Sequence, residues 1–364
     1  MIKSYSYTGA KAYVLSFTNS GELLSARVAN TLNSSGIASE TSTCRVTNLK
    51  EYMHDIFQNG NILIFIGAVG IAVRAIAPHI KNKTTDPAVI VIDEAARFVI
   101  PILSGHIGHA NRIANKISAL IGAIPIITTA TDTNDVFAFD SFAVDNGYAI
   151  VNTENIKYIS GTMLDGKHVG LYSDFDIEGD IPPLVHLLGA SNDEEEKLPE
   201  DNPVQGVYIS LDIEKQPFDH TLILVPKCFH IGVGSRRNAL FESVEELFID
   251  ALDDLSLPIC AVASISSIDV KKDEPAILTL AEKYNIRFIT YSAAELESVA
   301  THFTQSEFVH KTVGTGNVCE AAAFISSKHG EIVLPKRTKN GFTISVAQES
   351  WRVSFGISNG RTRS

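Results

Sequence analysis

The first part of the chain alternates short, continuously apolar segments with segments whose apolar residues recur at helical spacing. Continuous apolar runs occupy 62–66, 88–92 and 98–103, and the apolar positions of 104–121 fall on one face of a helix. Continuous apolar strands separated by helices are typical of a mostly parallel sheet that is covered on both faces. We therefore predict an N-terminal αβ domain over residues 1–135.

The same patterns predict further elements in this domain. Strands are predicted at 13–17, 43–46 and 124–127, and helices at 22–32, 49–58 and 70–80. The two apolar runs at 88–92 and 98–103 are predicted to pair with each other.

The rest of the chain divides into two further parts. Residues 136–227 contain strand-like runs without long helices between them, which predicts a smaller middle α+β segment. From residue 228 onwards strands and helices alternate again, and Asn340-Gly341 between two apolar runs predicts a β-hairpin. The predicted fold class is therefore α/β. N-terminal and C-terminal αβ domains with mostly parallel sheets (1–135 and 228–364) are joined by the middle segment (136–227).

Composition and charge narrow the class of protein. The chain has 364 residues and a formal net charge of −12, which argues against general binding to nucleic acid because that binding needs positive charge. Its four cysteines lie at least 32 residues apart, so neither a thiolate zinc site nor a dithiol motif is expected.

No membrane span is expected in the first part of the chain. The longest apolar stretch there runs from Ile62 to Val73, which is too short to cross a membrane. With no secretory pattern at the start, we expect a cytoplasmic protein without a membrane partner.

The segment from Ser104 to Asn111 has the densest polar cluster on an apolar background. Ser104 is of a type that caps a helix, Gly105 allows close approach to the backbone, and His106 and Asn111 supply acid–base and hydrogen-bonding groups. His106 and His109 would share a face of the predicted helix, so a metal site is an alternative to a ligand site. The plainest alternative is helix packing by the glycines, with histidines at the surface.

Two further motifs follow predicted strands. Thr129, Thr131 and Asp132 come directly after the strand at 124–127, where open α/β sheets bind ligands, although a capped turn would explain them equally well. Gly67 and Gly70 join a strand to a helix, with Arg74 one turn later. Such a junction offers backbone N–H groups to an anion, but glycine turns are common at these positions.

The predicted C-terminal domain has two glycine-containing turns. Gly232 and Gly234 begin a dinucleotide-like pattern, but Arg237 stands where the third glycine belongs, so a nicotinamide site is disfavoured. Arg236 and Arg237 suit carboxylate groups, since guanidinium binds them through two hydrogen bonds, and surface arginines are the alternative.

The second turn leads into an alanine-rich helix. Gly316 and Asn317 precede it, and Glu320 is the best candidate in this domain for a buried carboxylate. As an ordinary acidic residue at a helix start, Glu320 would need no function.

Taken together and in order, these motifs resemble the cobalt-precorrin-5A hydrolase family, CbiG, of anaerobic cobalamin biosynthesis. The resemblance rests on the motifs Gly67-Ala68-Val69-Gly70-Ile71-Ala72-Val73-Arg74, Leu103-Ser104-Gly105-His106 through Asn111, Thr128-Thr129-Ala130-Thr131-Asp132, Gly232-Val233-Gly234-Ser235-Arg236-Arg237, Lys272-Asp273-Glu274 and Gly316-Asn317-Val318-Cys319-Glu320-Ala321-Ala322. They span both predicted αβ domains, and the middle segment fits the family's spacer domain.

The resemblance implies a hydrolase that opens the δ-lactone of cobalt-precorrin-5A and releases acetaldehyde to give cobalt-precorrin-5B. The cobalt arrives with the corrinoid substrate, so neither a protein metal site nor another cofactor is expected. His106 is the first choice for the catalytic acid–base group, with Glu320 in reserve. The expected substrate-binding residues are Gly67, Gly70, Arg74, Ser104, Gly105, Asn111, Thr129, Thr131, Asp132, Gly232, Gly234, Arg236, Arg237, Gly316 and Asn317.

A different class of function stays open from the sequence. A protein that binds and carries a tetrapyrrole intermediate without chemistry would keep the glycine turns but would not require His106. The sequence indicates nothing about the oligomeric state.

Overall fold

The computed structural model describes residues 11–43, 49–188, 203–235, 240–305, 307, 310 and 314–356. The chain forms two compact units, Met1–Val144 and Asp145–Ser364. No helix in these described ranges is long and apolar enough to cross a membrane. The domain boundaries expected near residues 135 and 227 stay predictions.

The first unit is built on one six-stranded sheet with strand order β2-β1-β3-β4-β5-β6. Its strands are β1 (Lys11–Ser16), β2 (Ala38–Thr43), β3 (Ile62–Ile66), β4 (Ala88–Ile92), β5 (Phe98–Leu103) and β6 (Ile124–Pro125). Its helices are α1 (Asn19–Ser34), α2 (Leu49–Ile56), α3 (Val69–Ile76), α4 (Ala110–Ile121), α5 (Ala130–Thr133) and α6 (Phe139–Asp145, which ends one residue beyond the unit).

Strand direction changes once within this sheet. Strands β1 to β4 are mutually parallel, β5 runs antiparallel to β4, and β6 is parallel to β5. The carboxyl ends of β5 and β6 therefore lie at the edge of the sheet where β3 and β4 begin. Residues that follow β5 and β6 share that edge, whereas residues that follow β3 lie at the opposite edge.

Strand β3 shows why its sequence is continuously apolar. Ile62, Ile64 and Ile66 are buried in one core with residues of α1 and α4. Leu63 and Phe65 are buried in a second core with residues of α2 and α3. Both faces of the sheet are thus covered by helices, as predicted for this domain.

The expected start of two elements in this unit is wrong. The second strand begins at Ala38 and not at residue 43, because it is a polar edge strand without an apolar pattern, and residues 44–46 of the expected strand lie outside the described residues. Helix α4 begins at Ala110 and not at residue 104, because Ser104 adopts a left-handed backbone conformation with φ of 55° that ends the preceding strand in a turn.

The described residues of the second unit form two five-stranded sheets and one two-stranded sheet. Its strands are β7 (Tyr148–Ile150), β8 (Val169–Ser173), β9 (Ile177–Glu178), β10 (Val185–Leu187), β11 (Gln205–Ile209), β12 (His220–Pro226), β13 (Phe229–Ser235), β14 (Val262–Ile268), β15 (Arg287–Tyr291), β16 (Glu331–Lys339), β17 (Phe342–Gln348) and β18 (Val353–Ser354). Its α-helices are α7 (Ile156–Leu164), α8 (Phe241–Asp254), α9 (Pro275–Lys283), α10 (Ala293–Ala300) and α11 (Cys319–Ser326), and short 3₁₀ turns occupy Thr153–Asn155, Ile259–Ala261 and Asp269–Lys271.

Both larger sheets of this unit are mostly parallel, which confirms the predicted α/β class. The first has the order β10-β8-β11-β12-β7, with only β7 antiparallel to its neighbour. The second has the order β15-β14-β13-β17-β16, in which β13, β14 and β15 are parallel and β16 and β17 form the predicted hairpin. Asn340 and Gly341 at its turn both have positive φ, 49° and 84°, as a tight hairpin turn requires.

Helix α7 is not expected from the sequence analysis. Its buried residues Ile156, Ile159 and Met163 recur at helical spacing, so the signal was present. Gly161 within the helix weakens its propensity, which is why the pattern is easily missed.

Candidate functional site

The loop after β5 presents His106 at the edge of the first unit's sheet. Ser104 donates a hydrogen bond from its hydroxyl to the Asp86 carbonyl at 2.9 Å, which fixes the loop against the start of β4. The Ala110 amide then donates to the Ser104 carbonyl at 3.1 Å, and the His109 amide donates to the His106 carbonyl at 2.9 Å. These bonds fold 104–109 into a compact turn.

Both ring nitrogens of His106 lie within hydrogen-bond distance of a carboxylate. Nδ1 is 3.1 Å and 3.2 Å from the two oxygens of Asp140, and Nε2 is 3.0 Å from Oδ2 of Asp132. The His106 and Asp140 side chains are 12% and 9% exposed, whereas that of Asp132 is 46% exposed. One carboxylate is thus buried behind the ring and the other faces solvent.

Aromatic packing holds the helix that carries Asp140. Phe137 makes edge and tilted contacts with Phe139 and Phe142, with ring centroids 5.0 Å and 5.6 Å apart. Phe139 and Phe142 are buried. The Ser141 amide donates to Oδ1 of Asp140 at 2.9 Å, which fixes the carboxylate in the first turn of α6.

Asn111 is a second side chain that contacts the exposed carboxylate of Asp132. Its side-chain amide donates to the Thr129 hydroxyl at 2.8 Å and to Oδ2 of Asp132 at 2.9 Å. Both amide hydrogens are used by these contacts, so Asn111 orients Asp132. A Cβ on Gly105 would lie 2.8 Å from Oδ1 of Asn111, which explains why this position of the turn is glycine.

The cluster stabilises the charged form of His106. The hydrogen bond to Asp140 is the largest effect and, with the charges of Asp140 and Asp132, raises the pKa of His106 from 6.5 to about 9 against the opposing effect of burial. Burial would raise the pKa of Asp140, but the hydrogen bond and charge of His106 outweigh it, with a smaller contribution from Lys83, and the pKa is lowered. At neutral pH this arrangement holds His106 as a cation that can donate a proton.

The structure groups some of the predicted site residues and separates others. Ser104, Gly105, His106, Asn111, Thr129 and Asp132 all belong to this cluster or to the turns that form it. The Thr131 side chain is buried, and its hydroxyl has no hydrogen-bond partner among the described residues.

Gly67, Gly70 and Arg74 lie at the opposite edge of the sheet, after β3. The Arg74 guanidinium is directed back to its own helix, where it donates to the Gly70 carbonyl at 3.2 Å. A binding role for these three residues stays a prediction, and it concerns a location separate from His106.

In the second unit, the predicted glycines have packing explanations. A Cβ on Gly232 would lie 1.8 Å from the Cys319 carbonyl oxygen, so glycine is what allows β13 to contact α11. A Cβ on Gly234 would meet the Thr343 side chain, and one on Gly316 would meet that of Gln305.

Glu320 is buried, as expected, but local groups satisfy its carboxylate. The Asn317 side-chain amide donates to Oε2 at 2.5 Å and the Lys336 backbone amide donates to Oε1 at 3.1 Å. The Glu320 amide in turn donates to Oδ1 of Asn317 at 3.0 Å. These contacts join the loop to β16, and a catalytic role for Glu320 stays a prediction.

The expected arginine pair cannot be placed, since Arg236 and Arg237 lie outside the described residues. The proposed sharing of a helix face by His106 and His109 is wrong, because both precede α4 and His109 occupies its N-cap with φ of 63°. In the described ranges, no group of three or more histidine, cysteine or acidic side chains is arranged to hold a metal ion.

Asp140 is the residue of this cluster that sequence analysis missed. It lies in the first turn of α6, between buried phenylalanines, where an acidic residue is ordinarily explained by the helix dipole. Local sequence offers no signal for this contact, because it depends on how α6 packs against the loop that carries His106.

The fold and the cluster define an α/β protein with an acid–base site at one edge of its N-terminal sheet. Three family models match in chain order. They are Cobalamin synthesis G N-terminal over residues 51–132, Cobalamin biosynthesis central region over 137–226, and Cobalamin synthesis G C-terminus over 229–347.

Two proteins of similar sequence indicate the same family. A cobalt-precorrin-5A hydrolase of Salmonella typhimurium is 35% identical over 291 residues, covering 80% of this chain and 82% of the relative. A cobalt-precorrin-5A hydrolase of Priestia megaterium is 30% identical over 309 residues, covering 82% of each. A crystal structure of a cobalamin biosynthesis protein G homologue from Sulfolobus solfataricus aligns over 96% of this chain and 100% of its own, with 22% identity and a TM-score of 0.43. This chain belongs to the cobalamin synthesis G family.

Proposed function

We propose that this protein opens the δ-lactone of cobalt-precorrin-5A and releases acetaldehyde, a step of anaerobic cobalamin biosynthesis. The observation that carries the proposal is the His106 cluster, in which an imidazole lies between a buried carboxylate and a carboxylate that faces solvent. The activity named for the two relatives, each matched over more than four-fifths of its length, supports the same reaction.

The reaction requires two kinds of bond cleavage. Water adds to the lactone carbonyl, the ring carbon–oxygen bond breaks, and the substrate gains a carboxylate and an alcohol on the methylated meso carbon. Loss of the alcohol proton then allows the carbon–carbon bond to the macrocycle to break in a retro-aldol-like step, which leaves acetaldehyde and returns the electron pair and a proton to the macrocycle. Each step needs a group that accepts or donates a proton.

His106 and its carboxylates are the proposed proton-transfer groups. Ser104, Gly105, Asn111, Thr129, Thr131 and Asp132 form or adjoin this edge and are the proposed substrate contacts there. The same proposal assigns substrate contacts to Gly67, Gly70, Arg74, Gly232, Gly234, Arg236, Arg237, Gly316 and Asn317, and a reserve catalytic role to Glu320.

The corrinoid brings its own cobalt as part of the substrate. The proposal therefore includes no metal or organic cofactor held by the protein, and it places the protein in the cytoplasm. The carboxylate side chains of a corrinoid are suitable partners for arginine pairs and backbone amides.

Incubation with the lactone substrate tests the proposal. The wild-type protein is expected to release acetaldehyde, and His106→Ala to reduce turnover by about 10²–10⁴-fold, the usual contribution of a positioned acid–base group. Spectroscopic titration should give nearly unchanged corrinoid affinity for this variant. Corrinoid binding without acetaldehyde release by the wild-type protein would instead indicate a carrier.

A further inference from the structure

The two carboxylates that contact His106 differ in their access to a substrate. Both oxygens of Asp140 contact the ring, and Oδ1 also accepts from the Ser141 amide at 2.9 Å. Asp132 uses only Oδ2, which accepts from His106 and Asn111. No hydrogen bond to its Oδ1 occurs among the residues that the structure describes, and the side chain is 46% exposed.

The double contact favours the doubly protonated form of His106. An ionised carboxylate only accepts hydrogen bonds, whereas a neutral imidazole has one N–H and one lone pair. A neutral ring would therefore direct a lone pair at one of the two carboxylates. The imidazolium donates from both nitrogens and satisfies Asp132 and Asp140 together. A group in this form cannot take a proton from water.

We propose that Asp132 is the general base of the site, with His106 as the acid beside it and Asp140 as a positioning residue that keeps His106 doubly protonated. The inference rests on the proposed lactone-opening function. It goes beyond that function because it divides the proton transfers among three named side chains.

The protons balance in the lactone-opening step. Asp132 takes a proton from water as the water oxygen bonds to the lactone carbonyl carbon. Once neutral, Asp132 holds the Nε2 proton of His106 less strongly, and His106 delivers that proton to the alkoxide oxygen as the ring carbon–oxygen bond breaks. Rotation of the neutral Asp132 carboxyl group then brings its O–H to the Oδ2 position, 3.0 Å from Nε2, and transfer of the proton to Nε2 restores both groups.

Charged groups around the ring support this protonation state. Asp132 on α5 and Asp140 on α6 both stabilise the cation, and Lys83 acts on Asp140. The pKa of His106, raised to about 9, is in accord with a ring that stays protonated at neutral pH. The alkaline side of the pH–rate profile should therefore report the loss of the His106 proton.

Matched Asp→Asn variants test the assignment. Asp132→Asn removes the base without changing side-chain size, and turnover at saturating substrate should fall by about 10²–10⁴-fold. Asp135→Asn is the control. Asp135 is an exposed residue of the same segment with φ of 55°, a conformation that asparagine also accepts, and this variant should keep wild-type turnover.

Asp140→Asn tests the positioning role through pH. The alkaline midpoint of turnover should move from about 9 toward 6.5, which loss of packing alone would not produce. NMR titration of isotope-labelled histidine in the wild-type protein, assigned with His106→Gln, provides a second test that does not depend on how Asp140→Asn folds. A His106 midpoint near 9 is expected.

Three results would overturn the assignment while leaving the proposed function intact. They are wild-type turnover by Asp132→Asn, an unchanged alkaline midpoint in a folded Asp140→Asn, and a His106 midpoint near 6.5 in the wild-type protein. Absence of acetaldehyde release by the wild-type protein would refute the proposed function itself, and the assignment with it.

Discussion

Asp140 contacts Nδ1 of His106 with both carboxylate oxygens, at 3.1 Å and 3.2 Å, from a position that solvent hardly reaches. A buried carboxylate is tolerated only with a charged or hydrogen-bonding partner, and an imidazolium provides both. This pair therefore links the stability of the first unit to the protonation of its candidate site.

The first prediction concerns stability against pH. The pKa of His106 is raised in the folded protein, so its contribution is fully present below about pH 6.5 and is lost as the pH rises through about 9. The pKa of Asp140 is lowered, so its contribution is lost in acid. The loss at alkaline pH should be on the order of 3 kcal/mol for His106 with its two carboxylates together, and Asp140 contributes the largest part.

Urea denaturation at a series of pH values measures this dependence. Asp140→Asn should flatten the alkaline fall in the free energy of unfolding, and Asp135→Asn should retain it. An alkaline fall of equal size in all three proteins would contradict the prediction.

The second prediction separates a structural from a catalytic role for Glu320. Glu320→Gln keeps the size of the side chain but weakens the buried bonds to Asn317 and the Lys336 amide, so the free energy of unfolding should fall by about 1–3 kcal/mol. If Glu320 acts mainly through these structural bonds, the folded Glu320→Gln variant should keep most of the wild-type turnover at low temperature. A large loss of turnover without loss of stability would make Glu320 catalytic.

The prediction for Gly232 follows from a backbone contact. A methyl group there would lie 1.8 Å from the Cys319 carbonyl oxygen and 2.9 Å from the Ala323 amide nitrogen. Since backbone atoms cannot move aside cheaply, Gly232→Ala should destabilise the second unit by several kcal/mol, at or above the ~1–3 kcal/mol typical of overpacking.

Gly161→Ala is the matched control for Gly232→Ala. Apart from its chain neighbours and the backbone of its own helix α7, no atom lies within 4 Å of the added methyl group. The variant should be neutral or stabilised by up to about 1 kcal/mol. If Gly232→Ala and Gly161→Ala had the same thermal unfolding midpoint, Gly232 would not lie against the Cys319 carbonyl in solution.

Cysteine reactivity gives another check on the second unit. Burial raises the pKa of Cys228 to about 12 and that of Cys319 to about 11. Cys260 is only partly buried, and its pKa is raised by burial as well. Iodoacetamide at neutral pH, followed by peptide mapping, should modify Cys260 before the other two. Rapid labelling of Cys319 in the folded protein would contradict the packing of α11.

The apolar patterns predicted the sheet of the first unit well, because β3 and β4 are buried on both faces and read as continuous apolar runs. The polar edge strand β2 has no such pattern, since its residues 38–42 are exposed or half-buried. Sequence periodicity reports burial, so it is weakest at the edges of a sheet.

The candidate site could be predicted only in part. The Ser104–Asn111 and Thr128–Asp132 motifs were both recognised from their polar residues after strands. Gly67 follows β3 and lies at the edge of the sheet opposite His106, because β5 pairs antiparallel with β4. The short connection of residues 93–97 already required that pairing, because parallel strands need a longer crossover. Asp140 becomes part of the site only through the packing of α6, which local sequence does not specify.

The most direct test of the proposed function is incubation of the wild-type protein with the lactone substrate in water enriched in heavy oxygen. Water attack at the lactone carbonyl predicts release of acetaldehyde equimolar with the corrinoid consumed, and heavy oxygen in the newly formed carboxylate of the product. Asp132→Asn should form both acetaldehyde and the labelled carboxylate much more slowly than the wild-type protein. Full corrinoid binding by the wild-type protein with no acetaldehyde and no label in the carboxylate would contradict the proposed hydrolysis.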